Sequence, residues 1–220
     1  MTPVDPRLTA ALGVQFEARR RALAAGATPV GWKLGMGDRE RIGDEIALGH
    51  LTSVTRLEPG AAYRAGAAGA LHADAEVAVA LGRDVAAGAG AEAAWAAIAG
   101  YGVALEIVDL ARPPDDPAAV VAENIFHRAV AFGPLRPALP AGALHGRLTA
   151  GGATTECPAD REDLPRRVAA AARLLGALGE RLRAGDLLIT GSVVQVAIRP
   201  GEEVAAEIDG LGRVALSIVP

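Results

Sequence analysis

Residues 70–81 read ALHADAEVAVAL, and their side chains alternate with a period of two. This alternation predicts a β-strand with two distinct faces, because successive side chains of a strand point to opposite sides of its sheet. One face is entirely apolar. The other begins with His72, Asp74 and Glu76 and then continues as alanine. Asp74 and Glu76 therefore point the same way, about 6.5 to 7 Å apart along the strand.

The ordinary explanation of this acidic face would be contact with solvent, but two observations argue against it. The face continues as Ala78 and Ala80, and a third carboxylate, Glu106, lies in GVALEIV (102–108), which is apolar on both faces. An unpaired ionised carboxylate there would cost roughly several kcal/mol, so Glu106 is either protonated or meets a cation. Three carboxylates from two strands, without a cysteine, suit a hard divalent ion such as Mg²⁺ or Mn²⁺.

A lone lysine, Lys33, stands in a second apolar segment, VGWKLGM at residues 30–36. A buried ammonium group must find a partner or shift its pKa. One interpretation is that Lys33 reaches the surface along its own methylene groups. The other is that it faces an anionic ligand. The segment by itself leaves both interpretations open.

Two short helices are predicted, in GAEAAWAAIAG (90–100) and AAVVAEN (118–124), and two long helices frame a chain that otherwise consists of strands and tight turns. The first is predicted from Pro6, with Asp5 as N-cap, to near Gly26. The second is predicted from Asp163 through ERLRAG, with Gly185 as its C-terminal cap. Because helices and strands do not alternate regularly, the fold class is α+β with an extensive mixed or antiparallel sheet. Without repeats or linkers, residues 1–220 are expected to form a single domain.

The composition is that of an ordinary globular protein, with 51% hydrophobic residues and a formal net charge of −4. The basic residues form no cluster with aromatic side chains, so no nucleic-acid partner is expected. The single cysteine, Cys157, excludes an internal disulfide and suits a cytoplasmic location. We find neither a signal peptide nor an apolar run of about 18 residues, so no membrane association is expected.

Six stretches of the chain occur in the order, and near the spacing, found in the 2-keto-4-pentenoate hydratase branch of the fumarylacetoacetate hydrolase superfamily. From about Val30 onward the chain resembles that branch. The stretches are VGWKLGM, DAEVAVALGRDV, ALEIVDLAR, AENIFHRAVAFG, LRAGDLLITGSV and GEEVAAEIDGLGRVALSI. The resemblance implies a mixed β-roll with flanking helices, here with a truncated helical segment at the N-terminus, and a homo-oligomer built from dimers.

The same resemblance assigns roles to individual residues. It implies that Asp74, Glu76 and Glu106 hold Mg²⁺ or Mn²⁺, and that Lys33 is a catalytic residue beside the substrate. The resemblance also implies a set of substrate-binding residues around the pocket, which are Asn124, Thr190, Gly191 and Ser192.

The activity implied by the resemblance is metal-dependent hydration of 2-hydroxy-2,4-dienoates, small 2-oxo acid derivatives from the meta-cleavage breakdown of aromatic compounds. Decarboxylation of a 4-oxalocrotonate-type 2-oxo acid passes through the same enolate and is the nearest alternative. A fumarylacetoacetate-type C–C hydrolase would need a water-activating histidine and acid pair. Two further alternatives are a non-catalytic partner subunit and an aldolase that forms a Schiff base through Lys33.

Four departures from the branch lie around the expected pocket. Asp74 replaces a glutamate, and TSVT (52–55) stands where many members carry an acidic pair. An arginine of the branch is displaced to Arg112, and the motif ADN reads AEN, which keeps Asn124. These departures affect the prediction of the substrate more than the prediction of the fold. His127, in a strand-like segment, is expected to be structural.

Overall fold

The computed structural model describes residues 6–35, 46–66, 69–111 and 116–220. Four α-helices occur within these ranges: α1 (Pro6–Ala24), α2 (Ala91–Ala97), α3 (Pro117–Ala122) and α4 (Leu164–Ala177). Twelve strands accompany them: β1 (Pro29–Gly35), β2 (Ala47–Thr52), β3 (Arg56–Leu57), β4 (Ala62–Arg64), β5 (Leu71–Leu81), β6 (Ile98–Asp109), β7 (His127–Phe132), β8 (Leu144–Ala150), β9 (Ala153–Ala159), β10 (Leu187–Ala197), β11 (Glu203–Ile208) and β12 (Gly212–Val219).

A seven-stranded mixed sheet, in the order β2-β1-β10-β5-β6-β7-β3, carries the acidic residues. Its central strand β5 is the segment predicted from its alternating side chains, and it pairs antiparallel with β10 and β6. The β5–β6 register sets Asp74 directly opposite Glu106. Since opposed residues of an antiparallel pair share one face, the backbone pairing alone brings Asp74, Glu76 and Glu106 to the same side of the sheet.

The second sheet has five strands in the order β4-β12-β11-β8-β9. Its β8–β9 hairpin turns at Gly151 and Gly152, as the sequence predicts. Buried side chains of this sheet, including Val204 and Leu216, belong to the same apolar core as Ala75 and Val77 of β5. The apolar face of β5 is thus in the core, which leaves its acidic face on the other side. The α+β class and the mixed β-roll are confirmed.

The helices largely follow the sequence prediction, with one error at a C-terminus. Helix α4 ends at Ala177, well before Gly185. Gly179 adopts a φ of +72°, and the N–H of Glu180 donates to the carbonyl of Leu175 at 2.9 Å. This left-handed glycine ends the helix, because the reversed backbone redirects the chain and satisfies a terminal carbonyl.

Helix α1 is tied to the sheet by one buried side chain. The amide of Gln15 donates to the carbonyl of Leu48 in β2 at 2.9 Å and to that of Val121 in α3 at 2.6 Å. Asp5, the predicted cap of α1, lies outside the described residues, and so does Arg112. No helix in the described part of the chain is long and apolar enough to cross a membrane. The single domain over residues 1–220 stays a prediction.

Candidate metal and 2-oxo acid site

The three carboxylates named from the sequence converge in the structure. Asp74, Glu76 and Glu106 are all buried, and each offers an oxygen within 4.8 Å of those of the other two. Two of them come from β5 and one from β6. The pattern of alternation and the register of two neighbouring strands are therefore enough to build the cluster. Their role as metal ligands stays a prediction.

The contacts of Glu106 show that its carboxylate is paired with a cation rather than protonated. Its Oε1 lies 2.6 Å from Nζ of Lys33 and 2.6 Å from Nδ1 of His127. Burial acts to raise the pKa of Glu106, but the Lys33 ammonium and the hydrogen bond from His127 together hold that pKa below its usual value. Glu106 is thus an ionised, paired carboxylate.

The other two carboxylates lack such a partner. Burial, reinforced by the charge of Glu106, raises the pKa of Asp74 to about 7, and hydrogen bonds from Gln195 and Ser192 offset this only in part. Burial and the charges of Glu106 and Asp74 also raise the pKa of Glu76 well above its usual value. Ionisation of Asp74 or Glu76 would therefore add negative charge beyond what the single Lys33 ammonium group balances.

Lys33 lies inside the site and does not reach solvent. Its side chain is 4% exposed, and Nζ also donates to the carbonyl of Ile125 at 3.1 Å. A Cβ at Gly49, opposite Lys33 in β2, would overlap Lys33 Cγ and lie 2.7 Å from Oδ1 of Asn124. The absence of a side chain at Gly49 therefore leaves room for the lysine to pass. The interpretation that Lys33 reaches the surface is therefore wrong; its observed partner is the protein's own Glu106, and contact with an anionic ligand stays a prediction.

The turn that presents the Ile125 carbonyl is strained. Asn124, Ile125 and Phe126 have φ angles of 57°, 51° and 62°, in the left-handed region. Asparagine tolerates this region, but for a β-branched isoleucine it is unfavourable. Such strain persists only where the surroundings enforce it, and it concentrates at functional sites. This turn joins α3 to β7 and passes directly over the lysine.

The predicted substrate-binding residues of β10 mostly contact protein groups. The N–H of Gly191 donates to Oε2 of Glu76 at 2.7 Å, and the Thr190 hydroxyl donates to the carbonyl of Val77 at 2.8 Å. Ser192 is exposed beside Asp74. Gly191, within strand β10, thus donates its N–H to a carboxylate of the protein's own site. Substrate binding by these three residues stays a prediction.

Asn124 also has a clear structural contact. Its Oδ1 accepts from the N–H of His50 at 2.7 Å, and its Nδ2 donates to the carbonyl of His50 at 3.1 Å. The side-chain amide thus pairs with the backbone of β2 like a neighbouring strand. This contact fixes the left-handed turn beside Lys33. Direct contact of Asn124 with substrate stays a prediction.

Sequence reasoning missed two residues of the site, His127 and Thr55. The His127 imidazole is buried between Glu106 and the Thr55 hydroxyl, which lies 2.8 Å from Nε2. Burial lowers the pKa of His127 below its usual value, although the hydrogen bond to Glu106 and the charge of Glu106 oppose this. A polar residue opening an apolar strand was the available signal, the same kind of anomaly that drew attention to Lys33.

The donor set fits a divalent cation. Oδ1 of Asp74 is buried and has no hydrogen-bond partner in the described part of the protein. A buried oxygen atom without a hydrogen-bond partner is unfavourable, and a bound cation would satisfy it. Carboxylate oxygens alone favour Mg²⁺ or Mn²⁺ over softer metals. Asp74, Glu76 and Glu106 are the residues that would hold the ion.

The family model described as "Fumarylacetoacetate (FAA) hydrolase C-terminal" matches residues 43–219. This match covers most of the chain, which therefore belongs to the fumarylacetoacetate hydrolase family. The matched region contains all three carboxylates of the site but not Lys33. The resemblance inferred from the sequence is confirmed for the superfamily, while membership of the hydratase branch stays a prediction.

Solved structures with the same fold include enzymes of several kinds. The 4-oxalocrotonate decarboxylase from Pseudomonas putida G7, complexed with magnesium and adipate, is 23% identical with a TM-score of 0.86, over 96% of this chain and 86% of the decarboxylase. The fumarylpyruvate hydrolase from Pseudomonas aeruginosa, in complex with Mn²⁺ and pyruvate, is 20% identical with a TM-score of 0.67. The match covers 87% of this chain and 90% of the hydrolase. A 5-carboxymethyl-2-hydroxymuconate delta-isomerase from Mycobacterium smegmatis is 17% identical with a TM-score of 0.67. The match covers 87% of this chain and 80% of the isomerase.

Proposed function

We propose that the protein is a divalent-metal-dependent lyase for small 2-oxo acids and their 2-hydroxydienoate forms. The observation that carries this proposal is the buried cluster of three converging carboxylates with one ammonium group beside it. The complexes of two relatives with magnesium and adipate, and with Mn²⁺ and pyruvate, support both the metal and the class of ligand.

A divalent ion held by the three carboxylates would act as a Lewis acid toward the 2-oxygen of a substrate and stabilise an enolate. The residues of this chain supply the remaining functions. Gly191 fixes Glu76 through its N–H, and Lys33 brings a positive charge to the acidic cluster. The Lys33 ammonium has donors only, so it orients a substrate anion or transfers a proton but does not bind the metal.

Two reactions share this enolate. Hydration of a 2-hydroxy-2,4-dienoate is the first candidate, because the sequence motifs of the chain resemble those of the hydratase branch. Decarboxylation of a 4-oxalocrotonate-type acid is the second, and the fold similarity to the P. putida decarboxylase favours it. The TSVT segment also favours it, because addition of water needs an acid or base that decarboxylation does not. In that segment Ser53 accepts from the N–H of Thr28, and Val54 is 71% exposed.

Hydrolysis of a C–C bond is less well supported by the histidines around the site. Both ring nitrogens of His127 contact protein groups, so this ring has no free nitrogen to activate water. His50 follows Gly49 in β2 and points to the opposite face, where it lies against Gln15 of α1. Burial and the charge of Arg19 lower the pKa of His50 to about 4.

The test is a panel of 2-hydroxydienoates and 2-oxo-dienedioates, each incubated with and without Mg²⁺ or Mn²⁺. Loss of dienol absorbance reports turnover, and release of CO₂ distinguishes decarboxylation from hydration. We expect turnover only with metal, and only in variants that keep the acidic cluster. Glu76→Gln should be inactive, whereas Glu58→Gln, on an exposed loop, should behave as wild type. Metal-independent turnover, or full activity of Glu76→Gln, would contradict the proposal.

A further inference from the structure

His127 and Thr55 form a hydrogen-bonded chain that ends on Glu106. His127 Nδ1 lies 2.6 Å from Oε1 of Glu106, and Nε2 lies 2.8 Å from the Thr55 hydroxyl. The same Oε1 takes the ion pair from Lys33 at 2.6 Å. Two donors on one oxygen fix the orientation of the Glu106 carboxylate, because rotating it would break both contacts at once.

The partners determine which ring nitrogen carries the proton. An ionised carboxylate only accepts hydrogen bonds, so Nδ1 of His127 must be the donor to Glu106. Nε2 lies 2.8 Å from the Thr55 hydroxyl, whose oxygen is also 3.4 Å from the Thr52 carbonyl, so this hydroxyl links the ring to the backbone of its own turn. Thr55 is itself held in place, since its carbonyl accepts from the N–H of Val130 in β7 at 2.9 Å. The side chain that orients the imidazole therefore comes from a turn anchored to the sheet.

The backbone on the other side of His127 supports a functional role. The strained turn from Asn124 to Phe126 immediately precedes it, and this turn gives the Ile125 carbonyl to Lys33. One short segment thus contacts both members of the Lys33–Glu106 pair, by the carbonyl of Ile125 and by the imidazole of His127. A residue needed only for packing would require neither contact.

We propose that His127 is a positioning residue that orients Glu106 for metal binding, and that Thr55 holds the His127 ring in place. The inference deepens the proposed function and rests on it. Outer hydrogen-bond partners of metal ligands act in this way, and their loss typically lowers metal affinity about 10- to 100-fold. His127 does not act on the substrate itself, because both of its ring nitrogens are occupied by Glu106 and Thr55.

The test measures Mn²⁺ affinity by calorimetry on the full-length protein, with variants that separate hydrogen bonding from packing. His127→Leu removes the donor, whereas the side-chain amide of His127→Asn retains a donor near the position of Nδ1. We expect His127→Leu to weaken Mn²⁺ binding about 10- to 100-fold, and His127→Asn to recover most of the loss. Equal binding by His127→Leu and wild type, or equal losses in both variants, would overturn the inference.

Thr55 provides a second variant that leaves the core intact. Thr55→Val is nearly isosteric but lacks the hydroxyl, and Thr55→Ser restores it. We expect Thr55→Val to weaken Mn²⁺ binding, with recovery in Thr55→Ser and no effect of Thr155→Val on the exposed strand β9. The ¹⁵N shifts of His127 should show a protonated Nδ1 in wild type and should change in Thr55→Val. Unchanged shifts and affinity in Thr55→Val would overturn the role of Thr55.

The two proposals fail in different ways. If wild type binds no Mn²⁺ and turns over no substrate, the proposed function is refuted, and the positioning role with it. If wild type binds Mn²⁺ and is active while every His127 and Thr55 variant matches it, only the positioning role is refuted.

Discussion

Replacing Asp74 by asparagine is expected to stabilise the metal-free protein at alkaline pH. The pKa of Asp74 rises from 3.8 to about 7 in the folded state, mainly because the carboxylate is buried and secondarily because Glu106 is negative. The folded pKa lies above the unfolded one, so ionisation works against folding. Stability is therefore lost as pH rises from about 4 to about 7, and the loss is complete above pH 7.

The size of the effect follows from the same values. At about 1.4 kcal/mol per pKa unit, full ionisation of Asp74 costs on the order of 4 kcal/mol of unfolding free energy. Asparagine keeps the shape and hydrogen-bonding capacity but carries no charge. In Asp74→Asn we therefore expect a gain of about 4 kcal/mol at pH 8.5, and about half of it at pH 5.5.

The assay is urea unfolding of both proteins in EDTA at the two pH values, with Glu58→Gln as the exposed control. Adding Mg²⁺ should stabilise wild type, by about 2.7 kcal/mol at one hundred times its Kd, and should leave Asp74→Asn almost unchanged. If Asp74→Asn is no more stable than wild type at pH 8.5, or if its gain does not depend on pH, the ionised Asp74 carboxylate does not destabilise the metal-free protein.

Three further changes test the surroundings of the cluster. If the Lys33 charge acts on the substrate as proposed, Lys33→Met should lower kcat roughly 10²- to 10³-fold; Mn²⁺ affinity should change far less, because His127 still contacts Glu106, and normal turnover would mean that Lys33 only pairs with Glu106. Gly49→Ala should lower unfolding free energy by about 1 to 3 kcal/mol and reduce activity, because its Cβ overlaps Lys33, whereas Gly88→Ala meets nothing within 4 Å and should match wild type in thermal unfolding and kinetics. Asp116→Ala should cost about 1 kcal/mol in chemical denaturation, since the Asp116 side chain accepts from a backbone N–H of α3 as its N-cap; an unchanged midpoint would contradict this.

Sequence patterns predicted the parts of the site that depend on strand periodicity. The alternation around Asp74 and Glu76 fixed their common face, and a charged residue in each of two apolar strands singled out Glu106 and Lys33. A buried charge has few explanations, which is why such anomalies are informative. The pairing of these two charges with each other was not predicted, because it depends on the sheet order β1-β10-β5-β6, which sets the distance between the strands of Lys33 and Glu106.

The features that were not predicted depend on local backbone conformation. Nothing in AENIFH indicates that Ile125 adopts a left-handed φ, since isoleucine disfavours it. That turn sets where His127 enters β7, so its contact with Glu106 was equally hidden. The early end of α4 has the same cause, because a glycine inside an apolar helical pattern does not reveal whether it continues the helix or ends it. Gly179 ends it.

The most direct test of the metal assignment is a crystal structure grown with Mn²⁺ and recorded at a wavelength where manganese scatters anomalously. We predict one strong anomalous peak about 2.0 to 2.3 Å from carboxylate oxygens of Asp74, Glu76 and Glu106, with Lys33 Nζ nearby but not coordinating. A fully soaked crystal with no peak at this cluster, or with manganese bound only elsewhere, would contradict the central claim.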